Sequence, residues 1–577
     1  MALDKTLDRT HFYFGKRPKG QEISGLTTFD LKPEWKKVLV QQRIPDNLKG
    51  LERLSKNLWW TWNYEGSELF EMINRDRWYE YKFNPIALLE SLTIKELKDL
   101  SSNASFIERL NAVLGKFDAY MARTAERDLR QVAYFSMEYG LHDTIKIYSG
   151  GLGLLAGDYL KEASDSNFNM IGIGLLYRYG YFQQGLSVHG DQVATYSPQK
   201  FTHLPLLPVR DAEGNWVRIT FALPGRTMFA KVWKVDVGRI PLYLLDTDFE
   251  DNVEADRTIT HRLYGGDWEN RMKQELLLGI GGIRMLDLLG IKPDLYHCNE
   301  GHAAFIGVER LRILIQKERL TFAQALEVVR ASTLFTTHTP VPAGHDTFSE
   351  DIMRRYLSHI PDHLDISWQQ FMNLGRMTDD DPNEKFSMSV LASKLSQEIN
   401  GVSRIHGRVT REMFSKLYPG YYPEELHIGY VTNGVHFPTW AAKSWQQLYH
   451  STFGDEFLTD GSNPEYWKKI HDVDDSVIWG IHMKQKTQLW NFILERSVQD
   501  MTRRHENPTL MFRLREEMNP AALTIGFARR FATYKRGYLL FSNIERLSAI
   551  VNNKKKPVRF IFAGKAHPND KAGQDLI

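Results

Sequence analysis

Apolar residues fall at steps of three or four along the first part of the chain and in short continuous runs from position 131 onward. That change of period divides the sequence. Leu48, Leu51, Leu54, Leu58 and Trp62 draw one helical stripe, and Phe106, Leu110, Val113, Leu114, Phe117, Tyr120 and Met121 draw a second. Residues 1–130 are therefore expected to be mostly helical, with both stripes turned toward a partner surface. Trp59, Trp60 and Trp62 fit core packing at that spacing better than a platform for stacking a sugar. From Gln131 strands alternate with helices. Val132 to Ser136 and Met170 to Leu176 read as strands, and between them Gly150-Gly151-Leu152-Gly153 opens a helix that continues through Leu154, Leu155, Tyr159 and Leu160. A glycine turn at a helix start lets backbone come close to an anion. Four apolar runs, Leu204 to Arg210, Trp216 to Leu223, Thr227 to Val237 and Ile240 to Leu245, are separated by Gly214, Gly225 and Gly238. They read as antiparallel hairpins inserted into the α/β body.

The alternation then resumes and repeats one arrangement three times. Leu295 to Cys298 ends in Asn299-Glu300-Gly301-His302, Thr333 to Thr337 runs into His338-Thr339-Pro340 and Gly344-His345-Asp346, and His427 to Thr432 runs into Asn433-Gly434-Val435-His436. The glycine turn, Glu300, His338 and Asn433 all belong at the carboxyl edge of one parallel sheet, where open α/β sheets bind ligands. The crevice they rim reads as poor in fixed charge and rich in hydrogen-bonding groups, which suits a neutral polyhydroxyl ligand such as a sugar. A long polar helix, Ile481 to Arg504, and a turn-rich stretch, His505 to Pro520, separate this body from a strand at Leu523 to Phe527. Arg529, Arg530, Lys535 and Arg536 follow that strand, and an apolar-periodic helix is expected directly after them through Leu539, Leu540, Ile544 and Leu547. Four cations at a strand-to-helix junction are suited to holding phosphate. A sugar-binding edge facing a phosphate-binding edge points to glycosyl transfer involving phosphate, in which an anion beside the anomeric carbon stabilises an oxocarbenium-like state.

Composition narrows the partners. Among 577 residues, 73 basic and 71 acidic side chains leave a net charge of +2, so no global field draws a nucleic acid or an acidic membrane, and the basic junction is a local device. The single cysteine, Cys298, precludes an internal disulfide and Cys-rich zinc sites, and no metal site is expected. Met1 to Arg9 is charged and no apolar run is long and clean enough to span a bilayer, so a cytoplasmic setting is expected.

The motifs carry a resemblance. Asn57-Leu58-Trp59-Trp60-Thr61-Trp62-Asn63, Ser149-Gly150-Gly151-Leu152-Gly153, Asn299-Glu300-Gly301-His302, Thr337-His338-Thr339, Asn400-Gly401-Val402, Thr432-Asn433-Gly434, Arg529-Arg530-Phe531-Ala532-Thr533-Tyr534-Lys535-Arg536 and Gly564-Lys565-Ala566 together resemble the α-glucan (glycogen/starch/maltodextrin) phosphorylases. The opening tryptophan motif and Ala532-Thr533, where longer enzymes carry His-Glu, look like the short bacterial and archaeal subgroup. The resemblance implies an α/β, two-domain Rossmann-like glycosyltransferase (GT-B type) architecture. Its expected parts are a helical region over 1–130, a glucan-binding domain over 131–519 with the antiparallel insertion at 204–245, and the start of a phosphate and cofactor domain over 520–577. It implies transfer of terminal α-1,4-linked glucose to inorganic phosphate, with pyridoxal 5′-phosphate acting through its phosphate group. By position, Arg530 and Lys535 match the clamp on substrate phosphate, Arg529 with Gly150 and Gly151 matches groups near the cofactor phosphate, His338 and Asn433 match residues holding the transferred glucose, and Glu300 matches an acidic residue lining the site.

One departure stands out. The family anchors its cofactor on a lysine in a Gly/Thr/Ser-rich segment near the carboxyl end, and Lys535, Lys554, Lys555, Lys556, Lys565 and Lys571 lie in no such context. Residues 520–577 hold about two strands and one helix, whereas a doubly wound domain needs on the order of 100 residues. The chain is thus expected to stop inside its second domain and, by itself, to bind no stoichiometric cofactor, to lack phosphorolysis and to associate through edges such as Val558 to Phe562. Should a lysine of this chain take the anchoring role, Lys565 is the first to examine. Two other readings remain open at this level: a nucleotide-sugar-dependent glycogen synthase, whose glycine turn sits nearer the chain start, and a non-catalytic glucan-binding remnant. Glucan length preference, allosteric control and oligomeric state, a homo-oligomer included, are not legible.

Overall fold

The computed structural model describes residues 44–123, 130–341 and 344–577. The expected helical character of residues 1–43 and 124–129 and the charged opening Met1 to Arg9 lie outside them. Strand β1 (Val132–Phe135) is followed by β2 (Met170–Leu175), the hairpin β3 (Gln183–Leu186) and β4 (Gln192–Thr195), β5 (Leu207–Pro208), β6 (Arg218–Leu223), β7 (Arg226–Val237) and β8 (Ile240–Asp246). Then come β9 (Leu295–Asn299), β10 (Thr333–Thr336), the short pair β11 (Thr347–Phe348) and β12 (Phe386–Ser387), β13 (Glu398–Gly401), β14 (Ile428–Tyr430), β15 (Leu523–Ala528) and β16 (Val558–Ala563).

Ten of these strands make one mixed sheet in the order β14-β13-β10-β9-β1-β2-β8-β7-β5, with β6 also on β7. Pairing is parallel from β14 to β8 and antiparallel beyond. The hairpins expected as an insertion therefore extend the main sheet. The reason lies in β2 and β8, both buried along most of their length. Gly172 and Gly174 offer no side chain where Leu242 and Leu244 of β8 pack; a Cβ on Gly172 would come 2.8 Å from Leu242.

From β1 the chain moves to β2 on one side, returns across β1 to β9, and continues outward to β10, β13 and β14 on the other side. The reversal between β1 and β9 opens a crevice at their carboxyl ends. Ser136, Met137 and Glu138 emerge there from β1, and Glu300 and His302 from β9. His302 ties the two exits, because its Nε2 accepts the N–H of Met137 at 3.0 Å.

Helices between Lys49 and Ala122 pack a core of Leu48, Leu51, Leu54, Leu58, Trp59, Trp60, Trp62, Phe70, Trp78, Phe106, Leu110, Val113 and Phe117, all buried. The tryptophans are thus core residues. Leu114 and Tyr120 are half-buried and Met121 is exposed. This helical layer is fastened to the sheet by polar groups at its motif. Buried Asn57 donates from Nδ2 to Gly238 O (2.9 Å) and accepts Gly238 N–H on Oδ1 (3.0 Å). Gly238 has φ +59°, and a Cβ there would lie 2.2 Å from Ser164 Oγ, so only glycine fits the β7–β8 turn that Asn57 reads. Asn63 at the motif's end caps the helix Tyr64–Ile73 through Gly66 N–H.

Toward the carboxyl end, a 29-residue helix, Asp475–Arg503, leads to Pro508–Glu516, a helix within the stretch expected to be rich in turns. Pro508 at its first position and Asn507 accepting Thr509 N–H start it. β15 and β16 pair in parallel from Leu523↔Val558 to Ala528↔Ala563. Between them the expected helix is displaced: two 3-10 turns, Thr533–Lys535 and Gly537–Phe541, intervene, and the α-helix runs only from Ile544 to Val551. Arg536, at φ +54°, breaks the helical path, and Asn543 restarts it by accepting Arg546 N–H. The basic residues consequently lie on a strand end and a tight turn rather than on an α-helix N-terminus. No helix among the described residues is long and apolar enough to cross a membrane.

Asn57→Ala strips the partners from both backbone groups of Gly238 in a dry place, which should destabilise the chain by roughly 2–4 kcal/mol. Urea unfolding checks this; a change below about 0.5 kcal/mol would show that the motif is not the fastener.

Candidate active site

The glycine turn is shaped by a carboxylate. Glu138, buried just past β1, accepts Ser149 N–H (2.7 Å), Gly150 N–H (3.3 Å) and the Ser149 hydroxyl (3.3 Å) on Oε2. Its Oε1 accepts the Tyr264 hydroxyl at 2.6 Å. The turn's first two amides are therefore already committed. The amides left for an anion are those of Gly151, Leu152 and Gly153, the opening turn of the helix Gly151–Asp165, where a helix leaves N–H groups without internal acceptors. Gly153 is obligatory, since a Cβ there would lie 2.7 Å from Glu138 Oε2.

Glu300 stands at the end of β9 with φ +71°, a backbone conformation costly for a residue with a side chain. Its Oε1 accepts His338 N–H (2.6 Å) and the Thr339 hydroxyl (3.2 Å). Burial raises its carboxyl to about 7, against the opposing pull of those donors. His338 Nε2 lies 2.7 Å from Asn299 Oδ1, and Asn299 Nδ2 donates to Ser136 Oγ at 3.1 Å. With the Asn299 oxygen as acceptor, His338 carries its proton on Nε2 and turns a basic Nδ1 to its other side. Burial lowers its pKa to about 4, so it is neutral near pH 7.

Glu300 and His338 thus form one connected group. Asn433 does not join them. It follows the edge strand β14, is exposed, and gives its backbone N–H to Val402 O. His436, from the same run, is a buried structural residue between Asp158, Asp165 and Thr439.

The crevice carries more charge than the sequence suggested. Arg271 bonds Asp346 (2.7 Å) and lies 2.8 Å from Glu275, and its guanidinium sits 5.1 Å from the centre of the Tyr264 ring. Burial pushes the Glu275 carboxyl up, while Arg271 overcomes burial to hold Asp346 low. Glu138 was findable, because it follows β1 as Glu300 follows β9. Tyr264 and Arg271 carry no local signal and arrive by tertiary packing.

Arg529 and Arg530 are exposed at the end of β15 and Lys535 is half-buried on the turn beyond. Arg530 meets the body: a Cβ added to Gly150 would lie 3.6 Å from its Nη2. Arg529 is held back by its backbone, since its carbonyl would be 2.0 Å from a Cβ on Gly564, whose φ is +157°. Lys565 gives its amine to Phe182 O at 2.6 Å and packs on Tyr181 and Phe182.

Comparison with known proteins agrees in its outline. A family model described as carbohydrate phosphorylase matches residues 292–577, and one described as a protein of unknown function (DUF3417) matches residues 44–145. Maltodextrin phosphorylase of Thermococcus litoralis is 39% identical over 551 residues, covering 93% of this chain and 64% of the relative. Glycogen phosphorylase of Mycobacterium tuberculosis is 39% identical over 565 residues with the same coverage. Glycogen phosphorylase of Aquifex aeolicus is 36% identical over 532 residues, covering 92% of this chain and 76% of the relative. The chain spans less than two thirds of the length of the first two relatives.

Glu300 ties the site to pH. Its folded carboxyl titrates near 7, above the ordinary 4.5, so it adds no penalty below about pH 4.5, and stability is lost as pH rises through 7. Glu300→Gln should therefore gain thermal stability relative to the unmodified chain between pH 4.5 and 8, the difference growing with pH. A difference that stays flat across that range, measured by thermal unfolding, would refute a buried Glu300 proton.

Proposed function

The chain belongs to the carbohydrate phosphorylase family, and from that premise we propose that it carries the machinery of an α-1,4-glucan phosphorylase. The proposed reaction breaks the bond between C1 of the terminal glucose and the glycosidic oxygen, forms a bond from C1 to a phosphate oxygen, and leaves the proton brought by phosphate on the shortened glucan. The products are glucose 1-phosphate and the glucan less one residue. The carrying observation is the approach of Arg530 to Gly150, which sets a basic strand end against an open helix N-terminus. An anion between them would meet charge-assisted donors from both sides.

Within this reading Arg530 and Lys535 clamp the substrate phosphate. Positive charge there holds the anion beside C1, where it stabilises cationic character in the transition state. His338, neutral and with Nδ1 as an acceptor, and Glu300, holding a proton at pH below about 7, suit hydroxyl groups of a neutral sugar. Asn433 serves the glucose only from the rim. The committed amides of Ser149 and Gly150 keep the turn rigid, so little ordering is left for binding.

Pyridoxal 5′-phosphate is the cofactor the family implies. The residues present fit its phosphate end: the open backbone at Gly150 and Gly151, where an added Cβ would meet only Arg530 Nη2 within 4 Å, with Arg529 beside Arg530 at the end of β15. When bound, the group supplies a second phosphate beside the substrate's. Lys565 does not suit its aldehyde, because the amine is spent on Phe182 O and two ring faces. The relatives' names favour phosphorolysis over the synthase reading and over a non-catalytic remnant.

The longest polypeptide encoded by the gene, supplied with maltodextrin, inorganic phosphate and pyridoxal 5′-phosphate, should release glucose 1-phosphate. Elongation of glucan from a sugar nucleotide, without that release, would move the assignment to a synthase. Lys535→Ala should cut phosphorolysis by about 10- to 100-fold, the worth of one charge-assisted bond of roughly 1.5–3 kcal/mol. Near-normal turnover and phosphate response in that variant would remove Lys535 from the clamp.

A further inference from the structure

Arg530 reaches Gly150 only if residues 523–577 sit at a fixed place on the body, and two side chains, Gln192 and Lys565, tie them there. Gln192, on β4 of the hairpin opposite Leu186, donates from Nε2 to Ala566 O at 2.9 Å and accepts Ala566 N–H on Oε1 at 2.9 Å. It therefore pairs with Ala566 as a neighbouring strand would, satisfying both backbone groups of a fully buried residue. Gln184 holds the Gln192 amide from behind, its Nε2 donating to Gln192 Oε1 at 3.0 Å. That second donor fixes which end of the amide is oxygen. Next to it, Lys565 Nζ donates to Phe182 O at 2.6 Å and lies 4.9 Å and 4.6 Å from the ring centres of Tyr181 and Phe182. The His567 ring stands 6.4 Å from Tyr181. The Gly564 to Ala566 segment of the clasp connects directly to the site: Gly564 abuts the carbonyl of Arg529, and Arg530 follows Arg529 in the chain.

Among the described residues, the rest of the hairpin makes no comparable hydrogen bond to the body. Gln184 to Leu186 and Val193 to Thr195 are exposed, so the hairpin does not earn its place through core packing. We propose that Gln192 is a positioning residue: by pairing with the backbone of Ala566 it sets the gap between Arg530 and the glycine turn, and so the geometry of the phosphate clamp. The role of Arg530 in this statement rests on the phosphorylase reading; the clasp itself does not.

The test compares the unmodified chain with Gln192→Ala and Gln192→Glu. Glutamate keeps the acceptor for Ala566 N–H and loses the donor, so it should fall between the other two. In the 577-residue chain, hydrogen exchange at Ala566 should accelerate about tenfold in Gln192→Ala, the loss expected for one net hydrogen bond. Spin labels at exposed Glu250→Cys and Lys554→Cys, with buried Cys298 unlabelled, should give a narrow distance distribution that broadens in Gln192→Ala. In the longest polypeptide of the gene, half-saturating phosphate should rise about tenfold while half-saturating maltodextrin stays unchanged, a split that general destabilisation would not produce. Unchanged exchange and distances would overturn the clasp. Changed exchange with an unchanged distance distribution or phosphate response would overturn positioning. Absence of phosphorolysis in the unmodified polypeptide would count against the functional reading alone, leaving exchange and distances to decide the clasp.

Discussion

A single buried carboxylate organises the crevice. Glu138 leaves β1 at the point where the sheet reverses direction, and its two oxygens take four hydrogen bonds from the glycine turn and Tyr264. Buried carboxyl oxygens are costly to leave without donors, so the turn and the tyrosine are held by the cost of releasing them. The helix-start amides of Gly151, Leu152 and Gly153 depend on this, because the turn that precedes them is so held.

Across the switch point the same economy governs a second carboxyl. Glu300 adopts a disfavoured backbone conformation and gathers the backbone of His338 and the hydroxyl of Thr339. His338 is in turn oriented by Asn299, and Asn299 by Ser136 of the β1 exit. Glu300 and His338 are thus cross-braced between adjacent strands. Arg529 and Arg530, by contrast, lie exposed at the end of β15, and their segment reaches the body through the Lys565 side chain on Phe182 and the Ala566 backbone on Gln192. One half of the site is rigid by burial and the other is placed by docking.

Much of this was legible along the chain. Strand exits from a parallel sheet collect ligand groups whatever the ligand, which is why Glu300, His338 and the glycine turn were found. The tryptophan stripe was readable as core because its period matched a buried helix face. Three features were hidden for physical reasons. The helix expected directly after Arg536, through Leu539 to Leu547, starts late because Arg536 adopts φ +54°, which side-chain identity does not announce. β8 reads as one more hairpin strand, and its parallel pairing depends on the bare faces of Gly172 and Gly174. Tyr264 joins Glu138 from 126 residues along the chain and Arg271 meets Asp346 from 75, through packing that no local pattern encodes.

The central claim is that one anion is shared between the start of the Gly151 helix and the basic turn after β15. The most direct measurement is a crystal structure of the protein soaked with inorganic phosphate. The account predicts a phosphate ion within hydrogen-bonding distance of Gly151 or Leu152 N–H and of Arg530 or Lys535 together. Phosphate bound by the basic turn alone, with the glycine turn untouched, would contradict it.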